Sequence, residues 1–210
     1  MNDHLESIKA QLNGMIDLNF EKVKYQYCND YIFPEFNPLR DEICKCIMLN
    51  LNQAAITLTN HLLESFLKTA IIYKDSHDRN MNSSVEIDNN YKASMDKYDN
   101  LNLEQTINAS CTKGLINKEQ KKVFIYFKNN IRNPYSHAEK KKIFKDDKVS
   151  GSHSTFDNGK FLMSDKQVYN VIDFPSIYGI AQFIKAKKNS YDYFSYVDLV
   201  IRETLSKIEI

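Results

Sequence analysis

Apolar side chains at Leu5, Ile8, Leu12, Met15, Ile16, Phe20, Val23 and Tyr27 fall three or four residues apart, which predicts one amphipathic helix over the first thirty residues. Gly14 weakens only its own turn. At Asn37-Pro38 the chain offers an N-cap followed by proline at the first helical position. The stripe Ile43, Ile47, Leu51, Ala54, Ala55, Leu58, Leu62, Phe66, Ala70 and Tyr73 then predicts a single long helix of roughly nine turns. The pattern dissolves at Lys74-Asp75-Ser76 into a polar, Asn- and Ser-rich stretch ending near Asn90, which reads as a surface loop.

Shorter helices are expected over 91–98 and 103–112, and Asn117 with Gln120 three residues later forms a capping signal for a helix running to Ile131. Val123, Phe127 and Ile131 are its expected buried stripe. From 143 to 163 the period changes. Gly151 and Asp157-Asn158-Gly159 punctuate short apolar runs such as Phe161-Leu162-Met163, a pattern that fits a small β-hairpin better than a helix. Helical spacing returns over Ser176 to Lys188 and again over Ser190 to Ile208. The sum is an all-α bundle with a small β-hairpin insertion near 143–163, read as one domain spanning residues 1–210.

With 210 residues and 42% hydrophobic content the chain is long enough to bury a sizeable core. Four scattered cysteines (Cys28, Cys44, Cys46, Cys111) do not make a disulfide framework, no apolar run approaches the roughly 20 residues of a membrane span, and Met1 to Lys9 is polar. A reducing cytoplasm is the expected compartment. The formal net charge of +1 conceals an uneven distribution. Residues 118–148 carry ten Lys or Arg against four acids, a local +6, whereas residues 75–104 carry seven acids against three bases, a local −4. Charge runs are ordinarily solvated helix faces, so the basic stretch gains meaning only from what it surrounds.

It surrounds Arg132-Asn133-Pro134-Tyr135-Ser136-His137. Proline disfavours helical backbone in the residue before it, so a kink or restart is expected at Asn133. On an unbroken helix Arg132 and His137 would stand about 140° apart, given roughly 100° per residue, and the break offers a way to bring them toward one pocket. Arginine is permanently charged and presents a planar fork suited to phosphate, while histidine titrates near neutral pH and can take or give a proton. Arg-Asn followed by three residues and His, behind an amphipathic helix, resembles the R-x4-6-H signature of the HEPN superfamily. The stretch Asn60 to Lys68 is similar to the long earlier helix on which that family packs its motif helix. The resemblance covers about residues 40–140, and the 143–163 insertion departs from the family pattern.

The resemblance implies a HEPN-like bundle and a metal-independent endoribonuclease with no cofactor. Arg132, Asn133 and His137 would be catalytic. The RNA 2′-hydroxyl would attack the adjacent phosphate to leave a 2′,3′-cyclic phosphate. Asn133 would orient His137 or the phosphate, and Lys140, Lys141 and Lys142 would grip the flanking RNA backbone. It further implies a homodimer whose two motifs meet in a composite site, and a toxin–antitoxin, abortive-infection or antiphage role with an antitoxin or defence-system partner protein. Two other classes stay open: a noncatalytic HEPN module that binds RNA, nucleotide or a partner protein, and a purely structural helical adaptor.

Other reactive side chains have plainer readings. Cys44-x-Cys46 lies within a predicted helix, where such spacing points the two thiols to different faces, so both read as buried structural cysteines. His61 and Glu64 read as packing or hydrogen-bonded residues, His153 as a loop residue, and His4 and His77 lack partners at ligand spacing. The sequence has no Walker loop, dinucleotide-binding glycine fingerprint or nucleophile elbow.

Overall fold

A computed structural model describes residues 2–77, 84–136, 143–144, 147–152, 154–157, 160–163, 165–173 and 175–208. The chain is predominantly helical, as the apolar spacing predicts, with a small β excursion before the last helix. The helices are α1 (Asn2–Cys28), α2 (Asn37–Met48), α3 (Asn52–His77), α4 (Ser84–Tyr98), α5 (Leu103–Thr112), α6 (Lys118–Phe127), the short α7 (Asn133–Ser136) and α8 (Pro175–Leu205).

The long helix expected from Asn37 to Tyr73 is two helices. Its apolar stripe runs through Leu49-Asn50-Leu51, but Asn50 adopts φ 56°, and the reversal closes as a Schellman motif. The Leu51 N–H donates to the Cys46 carbonyl at 2.7 Å and the Asn50 N–H to the Ile47 carbonyl at 3.1 Å. Leu51, expected in the stripe, is consequently 52% exposed. Nor is Asn37 the N-cap. It sits inside the first turn, and its amide oxygen accepts from the Tyr31 N–H at 2.8 Å, fastening the segment before the helix. The loop expected over 75–90 is shorter, because α3 continues through His77 and α4 begins at Ser84. The two runs expected over 176–188 and 190–208 are the single helix α8, since neither glycine nor proline separates them.

α3 forms the axis of the bundle. Leu62, Leu63, Phe66, Leu67, Ala70 and Ile71 are buried along it and join one cluster with Tyr193, Phe194, Val197 and Ile201 of α8 and with Ile43 and Ile47 of α2. Each such side chain withdrawn from water contributes roughly 1.5–3 kcal/mol, which makes this cluster the main source of cohesion. The β excursion is larger than a hairpin within 143–163. β1 (Lys148–Gly151) pairs antiparallel with β4 (Gln167–Asn170), and β2 (Ser154–Asp157) pairs with β3 (Lys160–Met163) inside it. A separate small cluster of Ile143, Phe144 and Val171 lies against Tyr178 of α8, with the Phe144 and Tyr178 rings stacked at 5.6 Å. Among the described residues no helix is long and apolar enough to cross a membrane.

Candidate nucleic-acid interface

α6 is fixed at both ends. At its start Asn117 and Gln120 close a full capping box, the side chain of each accepting from the other's backbone N–H at 2.8 Å. Gln120 also donates to the Glu203 carboxylate of α8 at 2.7 Å. Along the helix, the buried positions are Gln120 and Phe124, with Val123 and Phe127 only half-buried, so the stripe is centred one residue later than its expected start at Val123. Phe124 meets the Tyr196 ring edge-on at 5.7 Å and Phe127 meets Tyr193 at 4.6 Å. These aromatic contacts set the rotation of α6 against α8, and hence the direction in which the chain leaves the helix.

Beyond Phe127 the chain enters a π-helical turn, Lys128–Arg132, closed by the Asn133 N–H donating to the Lys128 carbonyl. The restart expected at Asn133 is seen, since α7 begins there directly after the π-turn, but the backbone of Asn133 stays helical at φ −62° and ψ −48° instead of turning extended. Proline has no N–H to give the carbonyl four residues back, and a turn widened by one residue just before it keeps the path helical.

This geometry sends Arg132 toward α3. Its Nη1 donates to the Asn133 Oδ1 at 3.1 Å, and its Nη2 stands 3.9 Å from the Glu64 Oε2, with the Arg132 side chain 30% exposed. Glu64 is shared, since its other oxygen lies 3.4 Å from the Lys68 ammonium. His61, one turn earlier on α3, is exposed rather than packed as expected, so an imidazole shares a helix face with the carboxylate that Arg132 approaches. Behind them is a neutral polar layer. The fully buried Tyr193 hydroxyl donates to Asn60 Oδ1 at 2.6 Å, and burial pushes that hydroxyl well above its ordinary value, against the opposing charge of Arg132. Asn60 Nδ2 has no partner among the described residues.

On the other flank of the π-turn lies a cleft of about 240 Å³ walled by Tyr126, Asn130, Tyr135, Ile143, Lys185 and Lys188, among others; Arg132 is not in its wall. The Tyr135 hydroxyl donates to the Gln182 carbonyl at 3.3 Å, and burial pushes it up to about 12. Lys185 is occupied by Asp147 at 2.6 Å and by the Ile143 carbonyl. Lys188 is exposed and Tyr126 is 60% exposed, both in the wall of this cleft. An exposed ring and a solvated ammonium in one cleft are able to stack a base and hold a phosphate. Neither residue was expected; the only signal for Lys188 is the basic run Lys185-Ala186-Lys187-Lys188, far along the chain from the motif.

Arg132, Asn133 and Glu64 are thus brought together. His137 and Lys140, Lys141 and Lys142 lie outside the described residues. Part of the expected basic face is internally compensated, because Lys128 pairs with Glu104 and Lys122 with Glu119. Cys44 is buried as expected, while Cys46 is half-buried. No protein-family model matches the chain, and no curated protein or solved structure matches it either.

Proposed function

We propose that this protein is a HEPN-type, metal-independent endoribonuclease acting at Arg132, Asn133 and His137. The observation that supports it most is the loosely held guanidinium of Arg132. At 3.9 Å and 30% exposure its pairing with Glu64 is worth at most about 1 kcal/mol, whereas a two-pronged hydrogen-bonded contact with phosphate is worth roughly 1.5–3 kcal/mol. Glu64 therefore offers little competition to a phosphodiester that other contacts hold at the site. Asn133, bonded to Nη1, holds the fork in place while the exchange occurs.

In the proposed reaction a base removes the proton of the RNA 2′-hydroxyl, and that oxygen attacks the adjacent phosphorus. The bond to the 5′-oxygen breaks as an acid protonates it, leaving a 2′,3′-cyclic phosphate and a 5′-hydroxyl. His137 serves as base or acid, and Arg132 offsets the charge that grows on the phosphoryl oxygens. Two proton-transfer roles per site call for a second copy of the motif. The exposed apolar trio Ile180, Phe183 and Ile184 on α8 supports such a dimer, because it flanks Gln182, whose carbonyl anchors Tyr135 of the motif segment. Tyr126 and Lys188 would carry the flanking strand alongside Lys140, Lys141 and Lys142. In the cell such an enzyme would be a toxin or antiphage effector held in check by a partner protein.

The test is cleavage of single-stranded RNA in EDTA, with product ends analysed. Wild type should cut and leave cyclic phosphate, and Arg132→Ala and His137→Ala should each lose at least about 100-fold. Cutting that survives His137→Ala, or attack on a strand with deoxyribose at the scissile position, would overturn the reading. RNA binding with no cleavage by the wild type would favour the noncatalytic module instead.

A further inference from the structure

A second and larger depression lies away from the motif, between the C-terminal part of α1 and the C-terminal half of α8. Its volume is about 540 Å³, and its wall includes Tyr25 and Gln26 from α1 and Tyr191, Asp192, Tyr196 and Glu203 from α8. Three phenol rings in one groove give negative π faces, which attract cations. The charges add to this. Arg202, the one cation in the wall, is already engaged: its Nε donates to Asp198 at 3.0 Å, its Nη2 donates to the Asn29 carbonyl at 2.7 Å, and its guanidinium lies over the Tyr25 ring at 5.2 Å. Asp192 has no ion-pair partner among the described residues. The Glu203 carboxylate accepts from the neutral Gln120 amide and has no ion-pair partner among the described residues. The Tyr196 hydroxyl registers this field, being raised by burial and then by the charges of Glu203 and Glu119.

A further feature points to a ligand with N–H groups. Gln26 is 5% exposed and forms part of the wall, yet its Oε1 accepts from nothing among the described residues. Buried amide oxygens are nearly always hydrogen-bonded, so an unused acceptor at a groove of this charge calls for a donor. Spacing narrows the choice. Asp192 and Glu203 are eleven residues apart, about three helical turns, which places them on one face of α8 about 16 Å apart along its axis. Tyr196 and Leu199 lie between them on that face, offering an aromatic and an apolar surface to a hydrocarbon chain.

We propose that this groove binds a linear polyamine, with one ammonium at Asp192, one at Glu203 and the methylene run across the tyrosine rings. The site is separate from Arg132, Asn133 and Glu64 and does not depend on the nuclease activity. The shared chemistry is a chain of alkylammonium groups, whether in a free polyamine or in the lysines of a peptide.

Titration calorimetry on the full chain, freed of nucleic acid, tests it with spermine, putrescine and tetralysine as probes. Spermine should bind saturably at one site per chain and at least about tenfold more tightly than putrescine, which is too short to reach both carboxylates. The pair Asp192→Asn and Glu203→Gln should weaken spermine by about tenfold or more, and Asp17→Asn, at an exposed acid on α1, should leave it unchanged. Should the double variant unfold, Leu199→Lys places an ammonium in the groove at a 51% exposed position and should give the same loss. Tetralysine weaker than spermine assigns the site to a free polyamine, and tetralysine tighter assigns it to a basic peptide. Absence of saturable heat, equal affinity for spermine and putrescine, displacement by magnesium at matched ionic strength, or full affinity in both variants overturns the proposal.

Discussion

A carboxylate withdrawn from water costs several kcal/mol unless its oxygens are matched, and Asp75 shows how the matching is done. Burial alone would raise its carboxyl. The Lys113 ammonium at 2.5 Å, the Ser94 hydroxyl at 3.0 Å and the charge of Lys97 outweigh that and hold it at about 2. Tyr98 adds a hydrogen bond at 3.2 Å, so one side chain ties α3 to α4 and to the residue just after α5. Because the folded value lies below the unfolded one, near 4, the stabilisation is present above pH 4 and is lost as pH falls through 2. Asp75→Asn should therefore cost roughly 2 kcal/mol in urea unfolding at pH 7, and the gap to wild type should close by pH 2. A gap independent of pH would show that packing, not charge, is what Asp75 supplies. Asp75 was not legible in the sequence, where it heads a polar stretch, because its partners come from two distant places in the chain, α4 and the residue after α5. Arg132 and Asn133 were legible because they are adjacent and chemically distinctive, while Glu64, 68 residues away, was brought to Arg132 only by the packing of the π-turn on α3.

At the scale of elements, what was legible is what local chemistry decides. The bounds of α5 and the capping box of α6 arise from side chains within a few residues of one another. Apolar periodicity shows which face of a helix meets the core but carries no information on whether the backbone reverses between two faces that meet the same core. That is why the turn at Asn50 was invisible and why α8 was read as two pieces. The reversal depends on a left-handed residue, which costs most residues with a Cβ roughly 1–2 kcal/mol but is mild for asparagine and absent for glycine. Asn50→Ala should thus lower the unfolding free energy by about 1 kcal/mol, with Asn50→Gly at or slightly above wild type in the same urea titration. Equal loss in both would mean that the Asn50 side chain, rather than its backbone conformation, holds the corner. The π-turn shows what the proline signal left open: the helix restarts at Asn133 as expected, but the irregularity comes before it, as a widened turn, and Asn133 itself stays helical.

Among the described residues, exposed apolar side chains gather along Leu5, Ile8, Leu12 and Ile16 of α1 and at Ile180, Phe183 and Ile184 of α8. The second adjoins the motif segment and the first does not, and this difference makes the proposed dimer testable without knowing its geometry in advance. If one composite site draws its acid and its base from the His137 of both copies, a mixed dimer of wild-type and His137→Ala chains keeps only one of the two and is inactive. Random exchange at equal amounts makes about half the dimers mixed and leaves about a quarter wild type, so RNA cleavage should fall to about half of what the same wild-type chains give alone. Phe183→Glu should abolish activity when placed in wild type, and should abolish the interference when placed in the His137→Ala chains, if the α8 patch is the interface, because a buried unpaired carboxylate at its centre costs several kcal/mol. Its melting temperature should stay within a few degrees of a monomeric reference, since Phe183 is 47% exposed within the chain. Interference that survives Phe183→Glu would move the interface to α1. No interference would instead place a complete set of proton-transfer groups within one chain, and the exposed His61 beside Glu64 would become the next side chain to replace.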